Sequence, residues 1–243
     1  MDHPFRLYGH RGAAAHHPEN TLRALEAAVQ AGADALETDV RLSADGRVVV
    51  FHDADGARTC QQPHRLRDRP WAEIATWDAG EGQHPMLLSE LLEVFGSLFV
   101  NIDVKDDDPE AARRTLEVVQ ASGRAETVGL GSFHARVARA LRGAGWRGQL
   151  ALTPRGVAAV RLLPLPLAQP LVRGDAVQIP TQRYGIRLDT PRFLSRCHAL
   201  GLRVDFWTID DPDEAIALVR AGADGIVTND PAAIGAALES LRP

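Results

Sequence analysis

At four helix starts a capping residue stands directly before proline, in Asp108-Pro109, Thr190-Pro191, Asp211-Pro212 and Asp230-Pro231. A side-chain oxygen that accepts from the first free N–H groups, followed by a ring whose missing N–H is not needed there, is how a helix begins. Gly32, Gly123, Gly201 and Gly222 stand where such runs stop, as a left-handed closing residue requires. Between the helical runs lie short apolar ones. The pattern predicts strands over 5–9, 35–40, 99–104, 127–131, 149–152, 176–179, 203–208 and 224–228. It predicts helices over 19–31, 89–95, 109–122, 135–143, 156–163, 191–200, 212–221 and 231–241.

Eight strands with helical runs between them fit an α/β fold of the (β/α)8 TIM-barrel type better than a doubly wound sheet. No GxGxxG or GxxxxGK[ST] loop is present, which also counts against a nucleotide-binding sheet. The 243 residues are about what one such barrel uses. With no linker or low-complexity tract, 1–243 reads as a single domain. One segment departs from the alternation. Asp45-Gly46 is a hairpin turn signal, and six residues between Val40 and Arg47 are too few for a parallel crossover, so the chain turns back after the second strand. Residues 53–87, interrupted by Pro63, Pro70 and Pro85, read as a small irregular insertion capping the catalytic end.

Composition excludes several function classes. The 45% hydrophobic content supports a sizeable core, and a net charge of -5 without a basic tract argues against nucleic acid. No apolar run approaches the roughly 18 to 20 residues of a membrane span, and the most apolar stretch, 161–171, is broken by Pro164, Pro166 and Pro170. The first ten residues lack a signal-peptide pattern. The expectation is a soluble, cytoplasmic protein with no stable membrane association. Cys60 and Cys197 form no metal or redox motif and read as reduced, structural thiols.

Reactive groups of such a barrel gather at the C-terminal strand ends. Glu37 and Asp39 are two apart on one strand and share a face, as do Asp103 and Lys105 on the next. If all face inward, three carboxylates converge. Two charges about 5 Å apart repel by roughly 3 kcal/mol at an effective dielectric near 20, so the cluster needs compensation. Either a divalent cation, with an all-oxygen set favouring Mg2+, Ca2+ or Mn2+, or a salt-bridge cluster with Lys105 and Arg11 supplies it. Lys105 is the one lysine among 27 basic residues, which suggests a site needing a compact ammonium. His10 and His52 end strands beside other polar groups, as an acid–base pair requires. His16-His17, beside the first strand end, is a lesser candidate for touching substrate. Arg11 offers forked donors for phosphate oxygens, and Trp207 an apolar wall. Glu19-Asn20-Thr21 reads as a turn and helix start, and Asp68, Asp78 and the 106–108 run as solvated charges.

The order of HRG at 10–12, PENT at 18–21, ETDV at 37–40, HD at 52–53, NIDVK at 101–105, Ser132-Phe133, WT at 207–208 and GADGIVTNDP at 222–231 resembles the glycerophosphodiester phosphodiesterase family over about residues 6–235. The resemblance implies a TIM barrel that hydrolyses small-molecule glycerophosphodiesters, such as glycerophosphocholine or glycerophosphoethanolamine, to sn-glycerol 3-phosphate and an alcohol. It implies His10 and His52 as general acid and base, and one divalent cation, Mg2+ or Ca2+ with Mn2+ as a further option, on Glu37, Asp39 and Asp103. It also implies Arg11 and Lys105 on phosphate and Trp207 at the glycerol. Asp103 stands where the family commonly has Glu, and Asp210 where it often has Asn. Three other readings stay open at this point: a lysophospholipase D type phosphodiesterase, a Schiff-base lyase using Lys105, and a catalytically silent binding barrel.

Overall fold

The computed structural model describes residues 3–241. Eight parallel strands form the barrel: β1 Arg6–His10, β2 Ala35–Leu42, β3 Phe99–Val104, β4 Val128–Gly131, β5 Gln149–Leu150, β6 Ala176–Ile179, β7 Arg203–Phe206 and β8 Gly225–Thr228. Their lateral order is β6-β7-β8-β1-β2-β3-β4-β5. A single parallel bridge between Ala151 and Ala176 closes the ring, with the Leu152 N–H donating to Ala176 O at 2.7 Å and the Asp175 N–H to Leu150 O at 2.7 Å.

The expected alternation holds, and its boundaries shift for identifiable reasons. The first helix spans Leu22–Gln30 rather than 19–31, because Asn20 adopts φ 58 and Thr21 is the N-cap, its Oγ1 accepting from the Ala24 N–H. That leaves Glu19 and Asn20 free to serve the site. β5 is shorter than 149–152 because helix Pro154–Leu162 starts almost at once. β7 ends at Phe206, and the last α-helix ends at Leu238 with a 3-10 turn to Leu241. The prolines of 109, 191, 212 and 231 all stand in a first helical turn, and Asp108, Thr190, Asp211 and Asp230 all cap by side chain.

The hairpin after β2 forms as expected, with Val48–Val50 antiparallel to residues 40–42 and Gly46 at φ 75 in the turn. Asp106 is not a solvated loop charge. It accepts from Arg41 at 2.7 Å and from the Leu42 N–H at 2.9 Å, tying the hairpin to the end of β3. Residues 53–87 are more ordered than expected. Asp55–Gly56 pairs with Gln62–Arg65, short helices run over Ala57–Cys60 and Trp71–Ile74, and Met86–Leu87 pairs with Val48–Val50. They enclose a separate apolar cluster that includes Phe51, Leu66, Ile74 and Trp77. Elements of two to four residues leave no periodicity for a sequence reading to detect.

Two large apolar clusters lie between strands and helices, one around Leu25, Leu36, Ile102 and Leu130 and one around Val177, Phe193, Phe206 and Ile226. Each such buried side chain is worth about 1.5–3 kcal/mol. The barrel interior holds a polar network beside a small apolar cluster of Tyr8, Ala35 and Val227. Arg203 donates to Asp205 at 2.6 Å, and Gln178 bonds both Asn101 (3.0 Å) and Asp205 (3.4 Å). Satisfied on all sides, this network makes a rigid floor. Among the described residues, no helix is long and apolar enough to cross a membrane.

Candidate active site

Strand register sets the site. His10 and Glu37 are Cα partners on β1 and β2, and Asp39 and Asp103 are partners on β2 and β3. The inward faces of three neighbouring strands therefore bring together the groups that the alternation argument picked out. His10, Arg11, Glu37, Asp39, His52, Asp103, Lys105 and Trp207 all line one cavity of about 600 Å³.

The chain reaches this geometry at β1 through a tight turn. Arg11 sits at φ 55, a left-handed conformation that costs a non-glycine residue energy. Gly12 follows at φ 89, where an added Cβ would lie 2.4 Å from the Ala24 backbone. The Arg11 N–H donates to Glu37 O at 2.8 Å, and its carbonyl accepts from the Asn20 N–H at 2.9 Å.

The carboxylates are not equivalent. Lys105 Nζ stands 2.8 Å from Asp39 Oδ1 and 2.7 Å from Asp103 Oδ2. Arg11 Nε lies 3.1 Å from Asp39 Oδ2 as an ion pair, its N–H not aligned for a hydrogen bond. Asn20 Nδ2 donates to the same Asp39 oxygen at 3.2 Å, and Thr38 orients that amide through a 2.7 Å bond. Burial alone would raise Asp39, but Lys105 and Arg11 hold it below the usual carboxylate range. Burial, then the Asp39 charge, push Glu37 well above that range. Burial disfavours the Lys105 ammonium, yet Asp103, Asp39 and Glu37 together raise its pKa further. A Schiff-base nucleophile needs the opposite shift, so the lyase reading loses its physical basis.

Glu37 Oε2 and Asp103 Oδ1 are buried with no hydrogen-bond partner. Orphaned carboxylate oxygens beside a second acid are what a hard divalent cation satisfies. Among the described residues no three donors are already closed on one point, because the ammonium of Lys105 stands between Asp39 and Asp103. The donor set fits a cation, with Glu37 and Asp103 offering free oxygens and Asp39 committed to its cationic and amide partners.

The two histidines are anchored differently. His10 Nδ1 is 2.7 Å from Asn229 Oδ1, and its Nε2 is 3.8 Å from Glu37 Oε2. Burial and then Arg11 lower its pKa. His52 Nδ1 is 2.7 Å from Asp53 Oδ1. Arg58, from the insertion, donates to Asp53 at 2.6 Å and to both oxygens of Glu19 at 2.7 and 2.8 Å, and Glu19 accepts from Arg11 at 3.0 Å. The sequence reading missed Glu19, Asn20, Arg58 and Asn229. The HRG and PENT motifs held a signal for the first two, whereas nothing local marks Arg58. His16 instead bonds Asp230 at 3.0 Å, and neither it nor His17 lines the cavity. Cys60 and Cys197 are buried and form no disulfide, and burial pushes both thiols up, Cys197 to about 12, away from the reactive thiolate.

The cavity has a second, apolar wing. Its lining comes from Val157, Ala158, Arg161 and Leu162 of helix Pro154–Leu162 and from Arg183, Tyr184 and Ile186 of the hairpin over 182–187. Phe133 and Trp207 meet edge to face at 6.1 Å between this wing and the polar cluster.

Acids, cations and two imidazoles lining one cavity at the strand ends define the class as barrel phosphodiesterases. Within that class the chain belongs to the Glycerophosphoryl diester phosphodiesterase family, whose pattern matches residues 10–233. It is 32% identical to a probable glycerophosphodiester phosphodiesterase 2 of Mycobacterium tuberculosis, over 93% of this chain and 89% of that protein. A putative glycerophosphoryl diester phosphodiesterase structure from Silicibacter pomeroyi superposes with a TM-score of 0.84 at 26% identity, covering 99% of this chain and 95% of the other. An Oleispira antarctica phosphodiesterase, solved with the product sn-glycerol-3-phosphate, has the same fold, with a TM-score of 0.83, 24% identity and coverage of 98% and 97%. The activity class is that of a glycerophosphodiester phosphodiesterase.

Proposed function

We propose that the chain hydrolyses small glycerophosphodiesters to sn-glycerol 3-phosphate and an alcohol, with His10 and His52 as the acid–base pair and a divalent cation held by the free oxygens of Glu37 and Asp103 beside Asp39. The observation that carries this reading is the convergence of both histidines, three carboxylates, Arg11 and Lys105 on one cavity. The bound cation supplies charge neutralisation for the phosphoryl oxygens. Lys105 and Arg11 add fixed positive charge where negative charge develops, and Asp39 keeps both cations in place. His10 presents a lone pair at Nε2 and accepts the proton of the nucleophile. His52, backed by the Asp53 carboxylate, donates to the oxygen of the departing alcohol as its bond to phosphorus breaks. Trp207 walls the organic part of the substrate.

Incubation with glycerophosphocholine, followed by phosphorus-31 NMR with Mg2+, Ca2+ or EDTA, tests the reading. Metal-dependent appearance of glycerol 3-phosphate supports it. Folded protein that turns over no glycerophosphodiester with any divalent cation overturns it.

The apolar wing favours a second reading, in which the diester carries one acyl chain, as in lysophospholipase D chemistry. A bare glycerophosphodiester has nothing apolar to set against Val157, Leu162 and Ile186. A chain-length series of monoacyl glycerophosphocholines separates the two readings.

A further inference from the structure

His10 is the end of a hydrogen-bond chain that crosses three neighbouring strands. Asp210 lies in the loop after β7, Asn229 directly follows β8, and His10 ends β1. Asp210 Oδ1 accepts from Thr228 Oγ1 at 2.8 Å and from the Asn229 backbone N–H at 2.7 Å. Its Oδ2 accepts from Asn229 Nδ2 at 2.7 Å. The Asn229 carbonyl in turn accepts from the Ala15 N–H at 3.1 Å, so the residue is held at both backbone polar groups.

Donor and acceptor parity then leaves one arrangement. An ionised carboxylate has nothing to donate, so the amide of Asn229 must turn its NH2 toward Asp210. Its Oδ1 therefore faces His10, 2.7 Å from Nδ1. An amide oxygen only accepts, so Nδ1 of His10 carries the proton and Nε2 is the bare nitrogen aimed into the cavity. If the amide turned over, two oxygens would face each other at Asp210, and the NH2 would force the proton onto Nε2.

We propose that Asp210 and Asn229 are positioning residues for the hydrolysis, with Asp210 fixing the amide of Asn229 and the amide fixing the tautomer of His10. Neither touches the reacting atoms. Sequence order hides the relationship, since the three residues are 19 and 219 positions apart. This inference rests on the proposed role of His10 as proton acceptor.

The test compares four proteins on glycerophosphocholine with saturating Mg2+: wild type, His10→Ala, Asp210→Asn, and the exchange Asp210→Asn/Asn229→Asp. In Asp210→Asn the side-chain oxygen stays on Thr228 and the Asn229 N–H, so the new NH2 faces Asn229, turns its amide over and presents the Asn229 NH2 to Nδ1 of His10. The expected result is a fall in kcat of about ten- to a hundredfold, the usual scale for an outer hydrogen-bond partner, with KM nearly unchanged. The exchange restores an acceptor at His10 Nδ1 and a donor behind it, and recovers most of the lost kcat. Nitrogen-15 NMR of the His10 ring shows Nδ1–H in wild type and in the exchange variant, and a shift to Nε2–H in Asp210→Asn. That spectrum decides the matter even if Asp210→Asn is partly destabilised.

Wild-type kcat in Asp210→Asn, a loss that the exchange leaves unrepaired, or an unchanged tautomer spectrum overturns the proposal. The failures are separable. If His10→Ala retains wild-type kcat, the role of His10 itself falls. If His10→Ala is inactive while Asp210→Asn is normal, only the relay falls.

Discussion

Asp39 and Asp103 face each other as Cα partners on adjacent parallel strands, and one ammonium, that of Lys105, stands 2.8 and 2.7 Å from them. The pair explains why a chain that uses arginine almost everywhere keeps one lysine. A point charge fits between two carboxylates on neighbouring strands, whereas a planar fork is longer and fixes its donors in one plane.

Lys105→Arg is therefore expected to lower kcat by about tenfold or more despite keeping the charge, at the scale on which partners of a site act. Steady-state kinetics beside a melting curve checks this. A fully active Arg variant would remove the geometric argument.

The histidine roles are checked through the leaving group. His52→Ala is expected to lose roughly a hundredfold on glycerophosphocholine, whose alkoxide needs a proton. It should lose far less on a glycerophosphoryl p-nitrophenyl diester, whose phenolate leaves unaided. His10→Ala should be impaired on both substrates. The reverse pattern would exchange the two roles.

Glu37 makes a pH-dependent liability in the metal-free protein. Its carboxyl is held well above the ordinary glutamate value of 4.5 by burial and the Asp39 charge. The unfolded chain then binds fewer protons than the folded one at pH above 4.5, so stability falls as pH rises from there through the raised value. Glu37→Gln removes this slope. Its melting temperature in EDTA should exceed that of wild type by a margin that widens with pH, and Mg2+ should stabilise wild type while leaving the variant little changed. An equal pH slope in the two proteins would refute the assignment.

The apolar wing predicts a chain-length effect. Leu162 is 70% exposed at the mouth of the wing, so a chain lying there covers it in part. Leu162→Ser should raise KM for a long-chain monoacyl glycerophosphocholine about fivefold more than for glycerophosphocholine, in line with roughly 0.8 kcal/mol per buried methylene. Equal effects on both substrates would leave the wing without a chain.

Much of the site is legible in the chain before it folds, because strand geometry transmits it directly. Side chains two apart on a strand share a face, so Glu37 with Asp39 and Asp103 with Lys105 can be paired from spacing, and strand ends mark His10. Local chemistry also writes the helix starts at Asp108, Thr190, Asp211 and Asp230. The insertion was not legible, since its elements are too short to show a period and Arg58 reaches Glu19 from 39 positions away.

The sequence by itself determined the alternation, and with it the barrel and the strand ends at which the reactive groups gather. It left open whether the acidic cluster is answered by a cation or by Lys105. Folding decided that the ammonium bridges Asp39 and Asp103 while oxygens of Glu37 and Asp103 stay unpartnered. Only tertiary structure joined Asp210 to His10 through Asn229, and Arg11 to Asp53 through Glu19 and Arg58. Periodicity reports which face of an element a side chain takes, whereas a hydrogen bond between elements depends on how closing the barrel brings distant loops to within 3 Å of each other.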